Sequence, residues 1–210
     1  MPPSRLRKDA APATLPTTMR FELAYRPPYD WESLLDFLRA RAVTGIEVVD
    51  GSRYARTLAI DRGGERCVGW ISVTKSPRRN ALALTVSASL ARVVPAVLSR
   101  VRHAFDVGCD PEPIAQQLGA LAQARPGLRV PGTCDGFELA VRAVIGQQIS
   151  VAGARTLLGR LVAAFGNGHA TDDSPAGLTH TFPSASALAE RTVTELQAVG
   201  LTSARTRTLT

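Results

Sequence analysis

Apolar residues first recur at a helical period between positions 31 and 38, where Trp31, Leu34, Leu35 and Leu38 share one face and Asp30 stands ready as a cap. A short apolar run over 21–25 precedes this helix and gives way to Arg26-Pro27-Pro28-Tyr29, where the prolines forbid a continued ladder. From position 46 the pattern changes to strand-like runs over 46–49, 54–60, 67–73 and 81–86, separated by Asp50-Gly51, Gly63-Gly64 and Pro77. Tight turns between short strands predict an antiparallel sheet. The helix at 31 and another over about 93–105 are expected to cover one face and leave the other wet. This gives an α+β unit over 21–108, preceded by a proline-bearing, aperiodic leader over 1–20 that reads as flexible.

The stretch 109–210 reads as all-α. Asp110-Pro111 opens a helix to about 123, and Arg125-Pro126-Gly127 stops it. Asp135 and Glu138 have capping-box spacing, Phe137, Val141, Val144 and Ile145 supply the apolar face, and Gly146 is expected to end that helix. Ser150 caps the next, whose stripe is Val151, Ala154, Leu157, Leu158, Leu161 and Phe165 and whose terminator is Gly166. The polar stretch 167–181 reads as a surface loop. Two short helices follow, one after Ser184 and one from a Thr192/Glu195 capping box, with Gly200 as its stop. Thr202 or Ser203 opens a last helix in which the chain ends, so the all-α domain reads as unfinished.

Composition adds limits. At 210 residues and 22.3 kDa, with 45% hydrophobic and 20% charged residues and a mean hydropathy of +0.02, the chain fits an ordinary globular protein of one large domain or two small ones. No window reaches the ~18 apolar residues of a membrane span, and no apolar core follows Arg5, Arg7 and Lys8 to make a signal peptide. A cytoplasmic location is expected. The formal charge of +7 favours a polyanionic partner. A GC-rich coding bias gives the same excess, since only Lys8 and Lys75 are lysines. Cys67, Cys109 and Cys134 are odd in number and lack a C-x-x-C pair, so they read as small buried side chains. No metal or cofactor is expected.

The candidate chemistry is sparse. His103, His169 and His180 are isolated and read as surface residues, and Asp172-Asp173 reads as solvated. Trp31 and Trp70 read as core aromatics. Gly166-Asn167-Gly168 reads as a helix end. The unusual feature is Gly146-Gln147-Gln148-Ile149-Ser150, two long amides at a tight junction between amphipathic helices. It fits plain capping, and it fits a DNA contact in which the amides opening the second helix receive a phosphate.

Here the chain resembles a known family. Phe137-Glu138, Ala143, the 146–150 junction, Leu157, Arg160-Leu161, Phe165-Gly166, Phe182-Pro183-Ser184, Leu188-Ala189 and Gly200-Leu201 resemble the first part of the helix-hairpin-helix DNA glycosylases. Upstream, Tyr25-Arg26-Pro27-Pro28-Tyr29-Asp30-Trp31, Phe37-Leu38, Arg41-Ala42 and Tyr54-Ala55-Arg56 resemble the amino-terminal domain of bacterial 3-methyladenine DNA glycosylase II. The resemblance covers about 21–210. It implies an α+β fold: an N-terminal antiparallel sheet with helices, like that of the TATA-binding protein, then an incomplete all-α glycosylase domain over 109–210.

The activity implied is hydrolysis of the N-glycosidic bond of alkylated purines such as 3-methyladenine in base-excision repair. Such an enzyme flips the damaged nucleotide out of double-stranded DNA and fills the gap with a wedge side chain. The partner implied is duplex DNA with alkylated bases, bound by a monomer. Gln148 falls at the wedge position with Gln147 beside it, and Ser150 completes the expected DNA-binding set. The archetypal wedge is apolar, so an amide is a departure. The family's hairpin and catalytic aspartate are expected beyond Thr210, so no catalytic residue is assigned. The alternatives are a non-catalytic DNA-binding module, a fragment of an alkylation-response fusion protein, or a functionless truncation.

Overall fold

The computed structural model describes residues 16–169, 171 and 173–209. Strands β1 (Thr18–Ala24), β2 (Glu47–Asp50), β3 (Arg53–Arg62), β4 (Glu65–Lys75) and β5 (Ala81–Ser87) form one antiparallel sheet in the order β1-β5-β4-β3-β2. The leader expected over 1–20 ends sooner than its lack of periodicity suggests. Thr18, Met19 and Arg20 already pair with Ser87, Val86 and Thr85, because a ladder needs only backbone groups and Met19 packs against the core. Residues 1–15 lie outside the described part.

Helix α1 (Trp31–Arg41) starts where Asp30 accepts a hydrogen bond from the Ser33 N–H at 3.0 Å. A 3-10 turn over Ala88–Val93 leads into α2 (Val94–Ala104). Trp31, Leu34 and Leu35 of α1 and Val97 and Val101 of α2 bury their stripes against Tyr54, Leu58, Ile71 and Leu84 of the sheet. Full burial of such side chains contributes about 1.5–3 kcal/mol each.

The second face of the sheet, expected to be wet, is so only in part: Arg20, Glu22 and Ala24 of β1 are exposed on it, whereas the region of β3 and β4 is covered. Ala55, Trp70 and Leu178 form a small buried cluster there, and Leu178 comes from the stretch read as a surface loop. The Thr179 and His180 N–H groups donate to the Gly45 carbonyl at 2.8 and 3.0 Å. The Thr57 hydroxyl donates to the His180 carbonyl at 2.8 Å. The two ends of the stretch pair as β6 (Asn167–Gly168) and β7 (His180–Thr181). Polar composition misleads here because hydrogen bonds to Gly45 and Thr57 add to the apolar contact that Leu178 makes. His169 is buried in this layer rather than on the surface, and burial pushes its imidazole below the ordinary histidine range. Asp172 lies outside the described residues.

The helix expected over 110–123 is two, α3 (Pro111–Leu118) and α4 (Ala120–Gln123), because Gly119 takes a φ of +54° that breaks the helix between them. Helices α5 (Gly136–Gly146), α6 (Val151–Phe165), α7 (Ala185–Ala189), α8 (Val193–Ala198) and α9 (Ser203–Leu209) follow. Their core contains Val141, Ile145, Leu158, Leu161, Val162, Leu188, Leu196 and Leu201. Val43 and Ile46, from the turn between α1 and β2, are fully buried in the same core and join the two halves of the chain. Of the cysteines only Cys134 is buried; Cys67 and Cys109 are half-buried, since both lie near element ends. Both tryptophans are buried. Among the described residues no helix is long and apolar enough to cross a membrane.

Candidate nucleic-acid interface

Glu138 sits three residues after the Asp135 cap of α5, and the Asp135 carboxylate accepts its N–H at 2.9 Å. The reciprocal half of the expected capping box does not form. The Asp135 N–H is taken by the Thr133 hydroxyl at 3.1 Å, and the Glu138 carboxylate turns inward. It accepts from Arg56 of β3 at 2.6 Å and from Arg142, one turn further along α5, at 2.9 Å. Arg142 also donates to Glu47 at 2.6 Å, Arg56 lies 3.6 Å from Glu47, and the Tyr54 hydroxyl donates to Glu47 at 2.6 Å.

Two carboxylates and two guanidiniums thus alternate in a closed, mostly buried ring between the sheet and α5. Burial opposes the charge on Glu47, yet Arg142 and Arg56 outweigh it and hold its carboxyl below the usual carboxylate range. The two arginines are held more firmly protonated by the carboxylates they face, against the same burial. Sequence patterning missed the ring. Its one signal was Arg56, a charge inside the apolar run 54–60.

Helix α5 leads from this ring to the corner at 146–150. Gln147 follows the last residue of α5 with an extended backbone, and the next helix begins at Val151. The residue in left-handed conformation is Gln148, at φ +56°, and not Gly146, which stays helical. The chain passes from α5 to α6, which pack against each other, in the four residues 147–150, and Ile149 packs against the second core to pin the turn. Ser150 caps α6 by accepting the Gly153 N–H at 3.1 Å. Gln147, Gln148 and Ser150 are brought together at one outward corner and all three are exposed.

A residue that sequence reading did not select completes the corner. Arg205 of α9 donates to the Gln147 backbone carbonyl, which brings a guanidinium to the corner. Nothing in its local sequence marks it, because the contact spans 58 positions. The arrangement offers amide donors and acceptors, a cation and the start of a 15-residue helix to an anionic partner.

Two other concavities differ in chemistry. A cleft of about 250 Å³ beside α5 and α7 is lined by Phe137, Phe182, Arg66 and Arg100, and its aromatic rings meet edge to face at 6.4 Å. Its arginines face Asp61 at 3.2 Å and Asp135 at 3.5 Å, so it has little spare positive charge. A groove of about 1,080 Å³ along α3 and α4 is apolar, with Ile114, Leu118, Leu121 and Leu128 on its wall.

Residues 20–135 match the family model for the AlkA N-terminal domain. The chain belongs to this family. The match spans the sheet, α1 to α4 and the approach to α5, and stops before the corner. Beyond that span the likeness continues in individual relatives. The chain is 39% identical over 181 residues to DNA-3-methyladenine glycosylase 2 of Escherichia coli K12, an alignment covering 86% of this chain and 61% of that protein. It is 38% identical over 179 residues to a Mycobacterium tuberculosis H37Rv protein named "Probable bifunctional transcriptional activator/DNA repair enzyme AlkA", covering 82% of this chain and 34% of that one. The chain therefore spans roughly three fifths and one third of these two relatives. The fold of this family member is also similar to that of a 3-methyladenine DNA-glycosylase from Archaeoglobus fulgidus, with a TM-score of 0.72 at 22% identity over 91% of this chain and 64% of that one.

Proposed function

We propose that this chain forms the DNA-engaging part of a DNA-3-methyladenine glycosylase, acting as a monomer on duplex DNA with alkylated purines in the cytoplasm. The observation that carries the reading is the exposed, left-handed Gln148 at a corner held between two packed helices. A probe of a vacated base position must project from a rigid support, and this one does. Gln148 enters the gap left by an everted nucleotide and hydrogen-bonds to the orphaned base. Gln147 and Ser150 flank it, and the opening amides of α6 receive a backbone phosphate. The net charge of +7 supports a polyanionic partner. The sheet unit over 21–108 and the helical unit over 109–210 act together, the first as a brace for the second.

The direct test is binding of the purified chain to a duplex containing an abasic-site analogue and to the same duplex undamaged. Gln148→Ala weakens the first more than the second. Equal losses on both duplexes remove the wedge role. Release of 3-methyladenine from methylated duplex by the same preparation measures whether a catalytic group lies within these 210 residues; binding without release favours a DNA-binding module.

A further inference from the structure

The end of α1 and the turn that follows it present three successive residues whose backbone groups are each held by a charged side chain. Arg142 donates to the Arg41 carbonyl at 3.3 Å. Arg155 donates to the Ala42 carbonyl at 3.0 Å. The Glu47 carboxylate accepts the Val43 N–H at 2.9 Å. The two arginines come from the two helices that flank the corner, Arg142 from α5 and Arg155 from α6. Arg142 stands five residues before Gln147 and Arg155 five residues after Ser150, so the corner is gripped at matching distances on both arms. Glu47 closes the device by pairing with Arg142 at 2.6 Å, and the Val43 side chain is sunk in the core between the same helices.

We infer that Arg142 and Arg155 are positioning residues, which by clasping the 41–43 segment fix the angle between α5 and α6 and hence the direction in which Gln148 leaves the corner. This rests on the corner being the DNA contact. An ordinary packing role accounts for the buried Arg142 ring but not for Arg155. That side chain is exposed, and a single exposed guanidinium–carbonyl bond adds little to stability. Its contact is with the segment that Arg142 and Glu47 also hold. Two helices tied independently to one short segment cannot splay without breaking one of the ties.

The test is a double-mutant cycle between Arg155→Met and Gln148→Ala in the full chain, read by fluorescence anisotropy on a duplex carrying a tetrahydrofuran abasic analogue over a range of salt concentrations. Arg155→Met leaves the buried ring intact and is expected to leave the thermal midpoint unchanged. It weakens abasic-duplex binding about fivefold to tenfold, and adding Gln148→Ala to it costs much less than in the parent. The slope of log affinity against log salt stays the same. A slope smaller by about one marks Arg155 as a direct phosphate contact and overturns the inference. Additive losses overturn it too, as does unchanged affinity for Arg155→Met when Gln148→Ala alone weakens binding. If Gln148→Ala alone has no effect, the DNA reading of the corner falls and the inference with it. Arg142→Lys, which keeps the charge in the ring but not its forked geometry, is the second variant and is expected to show the same coupling.

Discussion

The Glu138 carboxylate meets the Arg56 guanidinium at 2.6 Å across 82 positions of sequence, and both side chains are almost entirely buried. The pair joins the first turn of α5 to β3 of the sheet, and through the rest of α5 it is connected to the Gln147–Gln148 corner. Attraction offsets the cost of desolvating the two charges only while both partners are present. Glu138→Ala leaves Arg56 and Arg142 sharing Glu47 alone and is expected to destabilise the chain by about 3–5 kcal/mol. Replacing both residues of the pair, as Arg56→Met with Glu138→Leu, is expected to cost less than Glu138→Ala. Urea unfolding of the three proteins checks this; a double variant less stable than the single one shows that the ring acts by more than charge pairing.

Glu47 gives the ring a pH dependence. Its folded carboxyl titrates below the usual range because Arg142 and Arg56 outweigh its burial. The unfolded chain therefore takes up this proton first as pH falls, at about 4.3. The stabilisation is fully present above that value and is lost as pH drops through the lowered folded value. Glu47→Gln is expected to unfold at lower urea concentration at neutral pH and to show a flatter loss of stability below about pH 4.3 than the parent. Parallel slopes for the two proteins in that window would remove Glu47 from the acid response.

Periodicity located the first sheet, α1, α2, α5 and α6 because each buries one continuous stripe or alternating face, as Trp31, Leu34 and Leu35 do. It failed where long-range polar bonding decides the structure. Glu138 has capping-box spacing, yet the distant Arg56 outcompetes the local cap for its carboxylate. The stretch 167–181 is polar and glycine-bearing, yet it docks on the sheet through Gly45, Thr57 and Leu178. Gln147, Gln148 and Ser150 were legible as a corner because capping chemistry is local. Arg205 was not, because only the packing of α9 against α5 brings it there.

The α3–α4 groove exposes more apolar surface than its surroundings. Leu121 is 77% exposed and Val130 78% exposed. Contiguous apolar surface of this kind promotes self-association and dye binding. Leu121→Lys removes no buried contact, so it is expected to leave the midpoint of thermal unfolding unchanged, lower binding of an apolar fluorescent dye and raise the concentration at which the chain aggregates. Light scattering and dye fluorescence on the two proteins check it, and a lowered midpoint would show that Leu121 packs in solution.

Gln148 is one of two non-glycine residues with positive φ among those described, the other being Asp106. For a residue with a Cβ the left-handed region costs about 1–2 kcal/mol. Glycine adopts it without that strain, although it gains backbone freedom when unfolded. Gln148→Gly is therefore expected to leave stability equal or higher by up to about 1 kcal/mol, while removing the amide that is proposed to enter the duplex. The expected signature is a split: an unchanged or raised unfolding midpoint together with weaker binding to an abasic duplex. A glutamine retained at a strained position for packing alone predicts the reverse, a lowered midpoint with unaltered DNA affinity. Measuring both quantities on one preparation separates the two, because a loss of fold and a loss of contact cannot produce the same pair of results.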